Sequence, residues 1–89
     1  VGSENKFSEP VLVQFSGDVY KVGFITNKNM IHLKETLGIK ENDELYAVYL
    51  PLSFSMSGDF FLVPSSKLQP IDKTAKEVMQ LVVSGGLLN

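Results

Sequence analysis

The chain has no cysteine and no arginine, a single histidine, and no long apolar run. Without cysteine there is no disulfide framework and no thiolate metal site, and the composition fits a reducing compartment. Without arginine there is no planar fork for phosphate or guanine. All eight bases are lysine, against ten acids, and a net charge of −2 gives no pull toward nucleic acid. No apolar stretch reaches the roughly 18 residues that a membrane span needs. With one histidine there is no second imidazole or thiolate to complete a metal site, so His32, beside Lys34 and Glu35, reads as a surface residue.

What remains is an ordinary globular composition, 44% hydrophobic and 20% charged, in 89 residues. A chain of this length makes one domain and buries roughly 60–65% of the surface its unfolded form exposes. Its start, Val1-Gly2-Ser3 and then Glu4-Asn5-Lys6, lacks a methionine and is polar. Residues 1–9 are therefore expected to be a flexible leader or an expression remnant, residues 10–89 a single soluble domain, and the whole a piece of something longer.

The domain divides into two hairpins and two helices. Val11-Leu12-Val13-Gln14-Phe15 follows Pro10 and is rich in strand formers; Ser16-Gly17-Asp18 turns the chain. In the return run from Val19 to Thr26, Tyr20, Val22 and Phe24 share one face. Gly23 inside that run marks a bulge, a close backbone neighbour, or a tolerated small residue. Met30, Leu33 and Leu37, with Gly38 behind them, predict a short helix over residues 29–37. The run from Glu44 to Leu52 is apolar on both faces, which predicts a strand covered on both sides and stopped by Pro51.

Phe60 to Val63 predicts a fourth strand ending at Pro64, and Leu68-Gln69-Pro70-Ile71 a short edge segment. Thr74 with Glu77 three residues later is a capping box. Ala75, Val78, Met79 and Val82 then repeat at helical spacing, and Ser84-Gly85-Gly86 ends the helix. The expected fold is α+β: a mainly antiparallel sheet of four to five strands with the C-terminal helix packed on it and a short helix between the hairpins. The alternative is a small barrel-like closure.

Catalytic patterns are missing. The serines have no glycine elbow and no paired base, the acids near Asp43 and Glu44 sit in a polar turn, and phosphate-loop and zinc-protease motifs do not occur. Two adjacent glycines can cradle phosphate, but a phosphate loop precedes its helix and Gly85-Gly86 follows one. The reading is therefore of a non-enzymatic chain with no cofactor and no metal. The candidate interaction loop is Ser53, Phe54, Ser55, Met56, Ser57 and Gly58: alternating hydroxyls with two large apolar side chains, either a foothold for a partner or a hairpin loop folded back on the sheet.

Five pieces run in a recognisable order. They are Val48-Tyr49-Leu50-Pro51, the hydroxyl-rich loop closing on Ser57-Gly58, Phe60-Phe61-Leu62-Val63-Pro64, Leu68-Gln69-Pro70-Ile71-Asp72, and Thr74 through Val83 with Ser84-Gly85-Gly86. In that order the chain resembles the soluble C-terminal domain of domain of unknown function family 502, the COV-like membrane proteins. Val11 to Phe15 and Val22 to Thr26 are similar to that family's opening strands. The loop departs from the family pattern, with Leu52-Ser53-Phe54-Ser55-Met56 in place of prolines and an asparagine.

The resemblance implies an integral membrane protein of bacteria, archaea or plants, with two transmembrane helices ahead of this domain. The positive-inside rule would then put the domain in the cytoplasm. Nothing in the family's known chemistry transfers to individual residues. The expected role is an interaction or scaffolding module with a protein partner, able to form a homo-oligomer; the alternative is a domain that senses a small ligand or regulates transport.

Overall fold

The computed structural model describes residues 9–89; residues 1–8, which hold most of the expected flexible leader, lie outside the described residues. Both predicted hairpins form. Strand β1 (Pro10–Ser16) pairs antiparallel with β2 (Val19–Asn27), and β3 (Leu45–Pro51) with β4 (Gly58–Pro64). The hairpins join through β2 and β3, and a short β5 (Leu68–Pro70) pairs with β1, giving one antiparallel sheet in the order β4-β3-β2-β1-β5.

Strands β4 and β5 are consecutive in the chain yet lie at opposite edges, joined by a single 3₁₀ turn, Ser65–Lys67. Four strand spacings in a flat sheet would separate those edges by roughly 19 Å. A three-residue 3₁₀ turn advances only about 6 Å. The sheet must therefore curl. Its concave face holds one core, in which Val11 and Val13 of β1 cluster with Val48 and Leu50 of β3 and Val63 of β4, flanked by Ile25, Tyr46, Phe61 and Leu68. The curl stops short of a barrel, because β4 and β5 exchange no ladder. The α+β reading holds and the barrel-like alternative does not.

Gly23 lets β2 and β3 approach closely. A Cβ there would lie 2.5 Å from Leu50 Cδ2 and 2.9 Å from both the Tyr49 carbonyl and Val48 Cγ1. Of the readings open for this glycine, the close backbone neighbour is the one observed.

On the opposite face a second core forms where helix α2 (Ala75–Val83) packs on the sheet: Phe24 of β2, fully buried, meets Val78 and Val82, with Val22, Ile71, Ala75 and Met79 at its margin. The predicted stripe is the face that packs. The capping box is complete: Thr74 Oγ1 accepts from the Glu77 N–H at 3.1 Å, and Glu77 Oε1 accepts from the Thr74 N–H at 3.0 Å. Helix α1 (Ile31–Leu37) is shorter than predicted and buries none of its residues. Gly38 ends it in the left-handed conformation, φ 69°, with Ile39 donating back to the Lys34 carbonyl. His32 is exposed on this helix.

Candidate interaction surface

The β3–β4 connection closes where the Leu52 N–H donates to the Ser57 carbonyl at 3.0 Å. Inside it, Ser55 Oγ accepts from the Ser57 N–H at 3.1 Å and lies 2.8 Å from Ser57 Oγ. The hydroxyls are therefore engaged with one another, shaping a short serine-stabilised turn. The apolar residues do not fold back on the sheet. Phe54 is 74% exposed and Met56 fully exposed.

Phe54 nevertheless has a fixed place. Its N–H donates to the Val83 carbonyl at 2.8 Å, in the last turn of α2. Its ring rests on Gly85, where Cε2 and Cζ come within 2.7 and 2.8 Å of the point a Cβ would occupy. Phe54 is also the one described non-glycine residue with positive φ, at 56°. A conformation of that kind costs a non-glycine residue about 1–3 kcal/mol and is kept only where surrounding contacts hold it. Here the bond to Val83 and the seat on Gly85 hold it.

The end of α2 is shaped to meet the loop. Gly85 and Gly86 take φ 66° and 89°, donating to the carbonyls of Val82 and Leu81. Ser84 Oγ donates to the Leu81 carbonyl at 3.1 Å and accepts from the Leu88 N–H at 3.0 Å. The tail is wound back, and Val83, Leu87 and Leu88 are exposed beside Leu52 and Phe54. Two depressions border this region. One, of about 390 Å³, runs under the loop between Leu50, Phe61 and Val82, with Lys21 and Asp59 among its lining residues. The other, of about 410 Å³, follows the outer side of α2 past Met79, Val83 and Leu88.

At the far end of the sheet a different cluster locks the corner between β4 and β5. Asp43 Oδ1 accepts from Ser65 Oγ at 2.7 Å and from the Ser66 N–H at 3.1 Å, and its Oδ2 accepts from Ser66 Oγ at 2.8 Å. These donors hold the Asp43 carboxyl below its ordinary range, the Ser65 hydroxyl contributing most. The Ser65 N–H also donates to the Glu44 carbonyl at 2.7 Å. A neighbouring cleft of about 490 Å³ is bordered by Tyr46 and by the exposed pair Lys28–Glu9, 2.8 Å apart. The hydrogen bond to Glu9 raises Lys28 above its usual value. Among the described residues no group of acids and histidine is arranged to hold a metal ion.

A family described as "Protein of unknown function (DUF502)" matches residues 1–58, which is more than half of the chain. The chain belongs to the DUF502 family. The matched stretch contains the first hairpin, α1, β3 and the interaction loop; β4, β5 and α2 follow it. No curated protein and no solved structure matches the chain.

In this DUF502 chain the loop residues named from the sequence lie together, as neighbours must. Sequence reasoning missed their partner. Gly85 reads as a helix terminator, which it is, and nothing in the string indicates that it also seats Phe54. Asp43 reads as a solvated turn acid, and its bonds to Ser65 and Ser66 cross more than twenty residues of chain.

Proposed function

We propose that this chain is a non-enzymatic interaction module of an integral membrane protein, presenting the β3–β4 loop and the end of α2 to a protein partner. The observation that carries the reading is the fixed, outward placement of Phe54, bonded to Val83, seated on Gly85 and still 74% exposed. A loop that merely closed a hairpin would gain nothing from holding two large apolar side chains in water. Leu52 and Met56 on the same loop, and Leu87 and Leu88 just after Gly86, are exposed as well, and apolar side chains gathered at a surface mark sites of association.

The membrane setting rests on the resemblance to the COV-like proteins. No described helix is long and apolar enough to cross a bilayer, so the spans would belong to other parts of the protein, with this domain on the cytoplasmic side. The test is capture by the full-length protein carrying Phe54→Ser and Met56→Ser together. Specific partners held by the unaltered protein should be lost while the melting temperature stays near its original value. An unchanged partner set refutes the loop as the docking element.

The second reading is a small-ligand sensor or transport regulator, and it draws on the cleft beneath the loop. That cleft combines apolar walls from Leu50, Phe61 and Val82 with one charge of each sign, Lys21 and Asp59, a lining suited to a small amphiphile. A ligand that binds the folded form must stabilise it. A panel of metabolites and lipid headgroups should then raise the melting temperature of the unaltered chain, with a smaller rise for Lys21→Met. A panel without any shift refutes this reading.

A further inference from the structure

The two edges of the sheet differ in what they offer a further strand. At β5, Gln69 faces inward to Leu12, Leu68 gives its N–H to the Ser65 carbonyl, and Pro70 has no N–H. That edge is closed to growth.

At β4 the alternation is readable from both ends. Ser57 accepts from Leu52 and Ser65 donates to Glu44, and the register between them runs without a slip from Pro51↔Gly58 to Leu45↔Pro64. In an antiparallel ladder each residue turns its N–H and C=O to the same side, and successive residues turn to opposite sides. The odd-numbered residues of β4 therefore face β3, and Gly58, Phe60, Leu62 and Pro64 face outward. Pro64 has no N–H, and the Phe60 N–H is held by its neighbour's carboxylate, Asp59 Oδ1, at 2.8 Å. The N–H groups of Gly58 and Leu62 have no partner among the described residues.

We propose that β4 is a homodimer edge, in which two copies of this chain pair their β4 strands antiparallel about a two-fold axis at Phe60. The inference goes beyond the loop surface described above: it uses the outer edge of β4, which shares Gly58 with that loop. The self-complementarity of the strand selects a second copy as the occupant. With the axis at Phe60, Gly58 of one copy meets Leu62 of the other, so the outward N–H and C=O of Gly58, Phe60 and Leu62 all find partners. Pro64, which has no N–H to give, falls opposite Met56, outside the ladder.

Moving the axis to Leu62 would set Pro64 against Phe60 and leave a carbonyl unmet. The same register places the two Phe60 rings side by side at the axis, each 59% exposed in the single chain, where a cross-strand aromatic pair is favourable. Asp59 falls opposite Phe61 of the second copy, so the two carboxylates do not face each other. An isologous contact of this kind closes on itself and continues one sheet across both subunits.

Asp59 competes with the dimer. Its carboxylate holds the Phe60 N–H that the second strand needs, so removing it should strengthen association while removing Phe60 should weaken it.

Sedimentation of the unaltered chain from low to high micromolar concentration should show a monomer–dimer equilibrium. Hydrogen exchange of the Gly58 and Leu62 amides should slow as dimer accumulates, while Phe61 and Val63, already bonded to β3, should not change. Phe60→Lys should weaken the dimer about tenfold, because a lysine on an edge strand opposes pairing. Asp59→Ala should tighten it several-fold. Because the exchange readout is taken on the unaltered chain, it does not depend on any variant folding. A chain that stays monomeric throughout, or a dimer in which the Leu62 amide exchanges as fast as in the monomer, overturns the proposal.

Discussion

The ring of Phe54 rests on Gly85, within 2.7 Å of where a Cβ would stand, so a residue in a hairpin loop and a residue ending a helix, far apart in the chain, share one contact. The contact ties the loop to the helix end that carries Leu87 and Leu88. It also makes Gly85 indispensable for two separate reasons, its left-handed backbone and the space it leaves.

Gly85→Ala should destabilise the chain by about 2 kcal/mol, the left-handed backbone accounting for about 1–2 of it and the displaced ring for the remainder. Urea unfolding checks the total. In a chain already carrying Phe54→Ser the same change should cost less, since only the backbone term is left. Equal costs in both backgrounds would mean that the ring and the glycine are not coupled.

Gly23→Ala should cost about 1–3 kcal/mol, the usual range for forcing volume into a packed interior. Leu50 can yield by rotation, but the Tyr49 carbonyl is part of the sheet and cannot. A lowered urea midpoint is the expected result. An unchanged midpoint would mean that β3 does not press on Gly23.

Acid should act through Asp43 and Glu77. Both carboxyls are held below their ordinary values, Asp43 chiefly by the Ser65 hydroxyl and Glu77 chiefly by the Thr74 N–H. A depressed folded value means that the folded state favours the charged form. Each group therefore contributes its full stabilisation above its unfolded value of about 4 and loses it as pH falls through the lower folded value. Melting temperature should be flat from neutral pH to about 5 and fall below about 4. Asp43→Asn and Glu77→Gln should each flatten that fall, and a profile identical to the unaltered chain would exclude the group concerned.

Thr74→Ala should destabilise by about 1 kcal/mol, the common cost of losing a helix cap. The loss should appear as faster amide exchange at Glu77, whose N–H the threonine hydroxyl accepts. Thr74→Ser keeps the acceptor and should restore most of the protection.

What the string of residues determined by itself was local. Alternation over Tyr20, Val22 and Phe24 is a property of one strand. The Thr74–Glu77 box spans a single helical turn, and Gly38 needs only its own backbone freedom to end α1. Such features follow from period, propensity and hydrogen bonds between near neighbours, and all of them appear in the structure. The helix face that packs was legible for the same reason, since Val78 and Val82 lie one turn apart.

The tertiary structure decided how those pieces meet. The strand order puts β4 and β5 at opposite edges and the curl brings those edges within reach of a three-residue turn; the pairing of β2 with β3 sets Gly23 against Leu50, the turn after β4 brings Ser65 and Ser66 to Asp43, and the packing of α2 sets Phe54 on Gly85. None of these pairs shares a local period, and each depends on where several strands lie at once. The β4 edge is of this kind too. Its residues read as an ordinary strand, and which of their N–H groups face outward depends on the register with β3. That register is set by packing across the sheet, and not by any signal within the strand.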